Sequence, residues 1–230
     1  MAEQQKGKFI IIEGTDGSGK KTQFEKLVLR IEHRVATFDF PQYDKPSSFF
    51  VKEYLNGHYG TAEEVGPYKA SIFYAVDRFD ISPMIRNAIN DGKIAVSNRY
   101  VGSNMGHQGA KIEDKKERVK YFNWLYELEY GILGIPKPDL NIILHMPAKI
   151  AQEFVDKKGA REYIGGAKRD LHEGDLRHLE RAERVYLEMA EIFPEDFIVV
   201  ECVENGRLLS VDEVHERVWD KVSRFISKIA

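Results

Sequence analysis

The chain has 230 residues, 31% of them charged and 43% hydrophobic, with a formal net charge of -3. That length suits one well-buried domain of roughly 100 to 200 residues or slightly more, and the near balance of charge removes any global basic field for duplex DNA or an anionic membrane. Cys202 is the sole cysteine, so an internal disulfide and a cysteine-rich zinc site are excluded and a reducing, cytoplasmic compartment is expected.

Met1 to Lys8 is polar and leads straight into an apolar strand, Phe9 to Ile12, and no apolar run reaches about 18 residues, so neither a leader nor a membrane span is expected. From Ile10 to Thr22 the chain reads IIIEGTDGSGKKT: a strand, a glycine-rich turn, then a helix. Gly14, Gly17 and Gly19 let the N–H groups of a tight loop, Thr15, Asp16 and Ser18 included, converge on phosphate oxygens, and the helix N-terminus that follows favours an anion. Lys20 adds an exposed, mobile charge for the β- and γ-phosphates of a nucleotide. Lys21 stands where a magnesium-ligating hydroxyl is usual; either Thr22 and water take over part of the metal shell, or the Lys21 ammonium replaces part of the metal's charge, or Lys21 faces solvent.

Helical periodicity then runs from Lys20 to Arg34, followed by a strand over Val35 to Phe38 and a loop, Phe40 to Ser48, that carries two prolines. Further on come a helix from Val65 to Asn90, a strand at Lys93 to Ser97, a helix from Glu113 to Leu133 and a strand at Leu140 to Leu144. Ala148 to Lys157 reads as a short helix, 157–170 as a mobile basic flap rich in glycine, and His172 to Ile192 as a helix. A strand at Phe197 to Val200 and a helix from Val211 to Ile229 close the chain, with Ser210 and Glu213 at capping-box spacing. The alternation predicts an α/β fold, a five-stranded parallel doubly wound sheet in a single domain, 1–230. Loops at the carboxyl ends of its strands are where such sheets bind ligands, which singles out Phe40 to Ser48.

Five segments together resemble the thymidylate kinase family of P-loop kinases: EGTDGSGKKTQ at the cradle, FPQY from Phe40, YAVDR from Tyr74, SNRYVGSNMGHQGAK from Ser97 and PKPDL from Pro136. The resemblance covers most of the chain and implies ATP-dependent phosphorylation of thymidylate to thymidine diphosphate, with Mg2+ expected. By it, Arg99 grips the acceptor phosphate, Arg78 contacts the base, and Tyr74, four residues earlier on the same helix face, stacks on it. Tyr43 bonds the phosphate, and Asn104 and Gln108 are polar contacts to base and sugar. Asp16 and Arg99 arrange the reacting phosphates, and 157–170 becomes a short lid that brings Arg161, Lys168 and above all Arg169, which leads the segment RDLHE, over ATP.

The pattern is departed from at three places. Asn98 falls where the family's aspartate helps hold magnesium through water, Lys21 is the second altered metal position, and His107 replaces a tyrosine near the sugar, which leaves the ribose preference open. A kinase for another deoxynucleoside monophosphate, or a nucleotide-binding regulator without catalysis, remain the alternatives. Small-molecule nucleotides are the expected partners, without nucleic acid or membrane. Apolar residues on more than one face of the helix from Val65 point to a homodimer.

Overall fold

The computed structural model describes residues 6–31, 34–156 and 176–226. Strand β1 (Lys8–Gly14) organises the rest. Its apolar run has period two: Phe9 and Ile11 enter one layer, Ile10 and Ile12 the other, and all four are fully buried. A strand covered on both faces needs no polar side, which is why the run is unbroken. Leaving water stabilises each such isoleucine by roughly 1.5–3 kcal/mol.

Five parallel strands stand in the order β2 (Val35–Asp39), β3 (Ile94–Asn98), β1, β4 (Leu140–His145), β5 (Phe197–Glu201). The doubly wound sheet is therefore present where expected, with β3 starting one residue later. Helices α1 (Lys20–Arg30) and α8 (Val211–Ile226) cover one face through Leu27, Val214 and Val218. The other face is covered by α3 (Ala62–Asn90), α4 (Val101–Gly109), α5 (Lys115–Tyr126) and α7 (Leu176–Ile192), through Ile85, Met105, Phe122 and Val185. Consequently the helices that follow neighbouring strands β1 and β3 lie on opposite faces, and the carboxyl ends of these two strands open a crevice between them.

Two capping boxes set helix starts. Glu213 N donates to Ser210 Oγ at 3.2 Å while Ser210 N donates to Glu213 Oε2 at 2.7 Å, as the spacing predicts. Thr61 and Glu64 do the same for α3, so that helix begins before the expected Val65, with a break at Gly66 (φ 73°). The expected helix from Glu113 is capped at Asp114, but beyond Tyr126 it widens into a π-helical segment, Glu127–Ile132. A 3.6-residue period carries no sign of that widening. In α1 the helix stops at Arg30, four residues short of the expected end, because Ile31 is extended.

The sequence reading missed α2 (Phe49–Leu55), α4 and a hairpin of β6 (Val203–Glu204) with β7 (Arg207–Leu208). Helix α4 is rich in glycine, a poor helix former. Packing explains it: a Cβ on Gly106 would lie 2.4 Å from the Tyr186 ring of α7, so tertiary contact overrides propensity. Among the described residues no helix is long and apolar enough to cross a membrane. The basic segment 157–170, with Arg161, Lys168 and Arg169, lies outside the described residues.

Candidate active site

The loop after β1 turns tightly into α1. Gly17 adopts φ 84°, and a Cβ there would meet the Ala151 carbonyl oxygen at 2.0 Å, so only glycine fits between the loop and helix α6 (Ala148–Asp156). Helix α1 starts at Gly19 with no side-chain cap, which leaves its N-terminal dipole to a ligand anion. Lys20 differs from expectation: it is 7% exposed, and its Nζ donates to the Thr15 carbonyl at 2.7 Å and lies 3.9 Å from Asp16 Oδ1. The loop curls its own oxygens around the ammonium, so the lysine is preplaced rather than exposed. Lys21 is turned outward, with its side chain 78% exposed and Nζ 4.0 Å from Glu25 Oε1.

Opposite the cradle, Arg99 follows β3 in the left-handed region (φ 67°). A non-glycine residue held there costs about 1–3 kcal/mol. Its backbone N donates to Ile12 O at 3.0 Å, which ties it to β1. The guanidinium forms an ion pair with Asp16, and Nη1 also reaches Ser103 Oγ at 3.1 Å and His107 Nε2 at 3.2 Å. Arginine only donates, so His107 Nε2 accepts and its ring proton sits on Nδ1. Burial drives the His107 pKa well below its ordinary 6.5, against the pull of Asp16 and with help from Arg99, so the ring stays neutral. Burial opposes the Arg99 charge as well, but Asp16, followed by Tyr186 and Glu13, outweighs it and raises its pKa.

Beneath this pair lies Glu13, fully buried, which accepts from Tyr100 N at 2.8 Å, Ser103 N at 3.0 Å and Ser103 Oγ at 2.7 Å. The N-terminus of α4 is thus capped by a carboxylate from β1, which fixes the helix that carries Ser103, Asn104, His107 and Gln108. Beside it, Asn98 Nδ2 donates to Asp39 Oδ1 at 2.8 Å. Partial burial raises the Asp39 pKa above 3.8, opposed by that hydrogen bond and by the charges of Arg99, Lys21 and Lys20.

Asp77 of YAVDR anchors the proline loop: Gln42 N donates to Asp77 Oδ2 at 2.9 Å and Ser47 Oγ to Oδ1 at 2.6 Å. Tyr43 is thereby held half-buried at the cleft wall. Arg78 is 2% exposed and bound at both ends of its fork by Glu129, with Nε at 2.8 Å from Oε2, while Nη1 donates to Tyr100 O at 3.4 Å. Glu129 is itself fully buried and comes from the π-helical turn. Tyr74 is half-buried with Tyr54 edge-on at 6.4 Å. Asn104 donates to Ser71 O at 3.2 Å, whereas the buried Oε1 of Gln108 has no hydrogen-bond partner.

One cleft of about 950 Å³ is lined by Asp16 to Thr22 on one side and by Tyr43, Tyr74, Arg78, Arg99, Asn104 and Gln108 on the other. Gly14 and Thr15 are buried under its floor. Met146, Leu209 and Val211 give the cradle side an apolar wall. Glu13, Asp39, Asp77 and Glu129 were not anticipated as site residues. Glu13 and Asp77 stand inside the quoted motifs and Asp39 directly before one, so a signal existed for three; Glu129 had none.

A family model described as thymidylate kinase matches residues 12–217. A thymidylate kinase of Mycobacterium tuberculosis is 32% identical over 185 residues, 79% of this chain and 85% of that one. A probable thymidylate kinase of Methanococcoides burtonii is 29% identical over 214 residues, covering 90% of this chain and 94% of its own. Among solved structures, the thymidylate kinase from Candida albicans superposes with a TM-score of 0.72 at 22% identity, over 95% of this chain and 92% of that one. With the glycine-rich loop and the wall of Tyr43, Tyr74, Arg78 and Arg99 facing one cleft, and a family match that spans both, this chain belongs to the thymidylate kinase family.

Proposed function

We propose that the protein transfers the γ-phosphoryl group of ATP to thymidylate, giving ADP and thymidine diphosphate. The carrying observation is the Asp16–Arg99 ion pair, which joins the cradle to the acceptor wall across a single cleft. An acceptor phosphate oxygen attacks the γ-phosphorus while the bond to the β–γ bridging oxygen breaks; the phosphate dianion is already a nucleophile and needs no base. Lys20 and the loop N–H groups hold the donor phosphates, Arg99 and Tyr43 align the acceptor phosphate, and Asp16 keeps Arg99 in place. Arg169 is proposed to close over the donor from the lid.

Recognition of the base rests on Tyr74, Arg78 and Gln108. The unpartnered Gln108 Oε1 suits the N3–H of thymine or uracil and repels the N3 lone pair of cytosine. In a coupled assay of ADP release with each nucleoside monophosphate, thymidylate is expected to turn over faster than deoxyuridylate, cytidylate or adenylate. Highest turnover with a purine monophosphate overturns the acceptor assignment. Glu129 spends itself on aiming Arg78, so Glu129→Gln is expected to raise the Kd for thymidylate about tenfold, the scale of one charge-assisted hydrogen bond, and to leave the ATP Kd within about twofold. Equal losses for both nucleotides would assign Glu129 to the scaffold alone.

Thymidylate kinases use ATP with Mg2+. Ser18 and Asn98 line the cleft, and Ser18 Oγ and Asn98 Oδ1 are buried oxygens without hydrogen-bond partners, hard donors that fit a cation. When bound, the cation neutralises negative charge on the phosphates; Asn98 and the Ser18 hydroxyl would hold it, directly or through water.

The partner is proposed to be a second copy of the chain. Ile72, Val76 and Phe79 of α3 recur at helical spacing and are 44%, 43% and 50% exposed, an apolar stripe suited to a two-fold, self-complementary contact. Sedimentation is expected to show a dimer, and Val76→Glu with Phe79→Glu a monomer; a monomeric wild type overturns this.

A further inference from the structure

We propose that Asp39 is a cation-holding carboxylate of the phosphate site, oriented by the amide of Asn98, and that it anchors through bound water the divalent cation accompanying the nucleotide. The proposal rests on the kinase reading above and adds to it a residue from a strand edge that the motifs leave out.

Strand register supplies the placement. Asp39 pairs with Asn98 across β2 and β3, and Asn98 pairs with Ile12 across β3 and β1, two residues before Gly14. Asp39 therefore stands at the carboxyl end of the sheet, in the row from which the cradle springs, and it lines the same cleft as Lys20 and Arg99. Asn98 spends an N–H on Asp39 Oδ1 at 2.8 Å, which fixes the carboxylate and leaves two hard acceptors, Asp39 Oδ2 and the buried, unpartnered Asn98 Oδ1.

The charge arrangement says what those oxygens are for. Among the described residues Asp39 makes no ion pair, although Arg99, Lys21 and Lys20 lie near enough to influence it. None of the three pairs with it: Lys20 is engaged with the Thr15 carbonyl, Arg99 with Asp16, and Lys21, at the rim of the cleft, is exposed with its Nζ 4.0 Å from Glu25 Oε1. A carboxylate facing a cleft built for phosphates repels them unless a cation stands between, and a hydrated magnesium ion needs only one or two carboxylates besides the phosphate oxygens. Asn98 is neutral; the charge is supplied one strand away.

The test measures metal affinity directly. The full chain, saturated with ADP and thymidylate, is titrated with Mn2+ and free Mn2+ is followed by electron paramagnetic resonance; circular dichroism confirms that each variant is folded. Asp39→Asn is expected to weaken Mn2+ binding about tenfold or more, the usual range for a residue that holds a metal through a second sphere, while ADP affinity in EDTA stays within about twofold. Moving the charge back, Asp39→Asn with Asn98→Asp is expected to recover Mn2+ affinity to within about threefold of wild type. Unchanged affinity in Asp39→Asn, a parallel fall in metal-free ADP affinity, or a double variant no tighter than Asp39→Asn alone overturns the proposal. A wild-type chain that binds no ADP in either medium fails earlier and takes the kinase reading with it.

Discussion

Lys20→Ala is expected to lower turnover with ATP about 1000-fold, the upper range for deleting one fixed charge aimed at a transition state. Its ammonium is already gathered into the loop by the Thr15 carbonyl at 2.7 Å and by Asp16 at 3.9 Å, so little reorganisation separates the resting position from the phosphates. Preplacement of this kind is what makes a cation worth more in a cleft than in water. Because the lysine is 7% exposed, removal also strands a loop carbonyl, at a cost of about 1 kcal/mol and ~2–4 °C in Tm for a chain of this size. Lys20→Met fills the same space without the charge and is expected to restore most of that Tm but none of the turnover. Turnover within about tenfold of wild type in Lys20→Met would remove the cradle lysine from the mechanism.

Arg99→Ala is expected to lose 100-fold or more in kcat/KM for the acceptor. The guanidinium has three duties that one small residue cannot replace: it pairs with Asp16, donates to Ser103 and donates to neutral His107. Once it is gone, Asp16 faces the acceptor phosphate with only Lys20 to offset it, and attraction is replaced by repulsion. Arg99→Lys is expected to lie between, since an ammonium keeps the charge but not the fork that reaches several partners. The readout is steady-state kinetics against thymidylate together with ADP affinity, which should move by less than about threefold. A kcat/KM change of less than about threefold in Arg99→Ala would place this arginine in the scaffold.

Both predictions draw on residues that local sequence already marked. Lys20 follows a strand and a glycine-rich turn, and Arg99 follows a strand inside a quoted motif. What local sequence misjudged was the condition of Lys20, which read as exposed and is buried among loop oxygens; what it left unseen at Arg99 are the partners Asp16, Ser103 and His107 that hold the guanidinium. Arg78 shows the same shift, since a residue expected to contact the base is also the buried partner of Glu129, 51 residues away.

The sheet was legible in the order of residues, because a strand buried on both faces must be a continuous apolar run, and so was the cradle, because a loop with φ 84° at Gly17 and Gly19 admits glycine above all. Both are local requirements on backbone and burial, and they leave their mark in consecutive letters. Folding alone makes Glu13 cap α4, Asp39 meet Asn98 and Glu129 meet Arg78, partners separated by 87 or 90, 59 and 51 residues. Strand register brings Asp39 beside Asn98, and helices packed on the sheet bring Tyr100 and Ser103 to Glu13 and Arg78 to Glu129; both are contacts between distant segments, of which the order of residues along the chain carries no local trace.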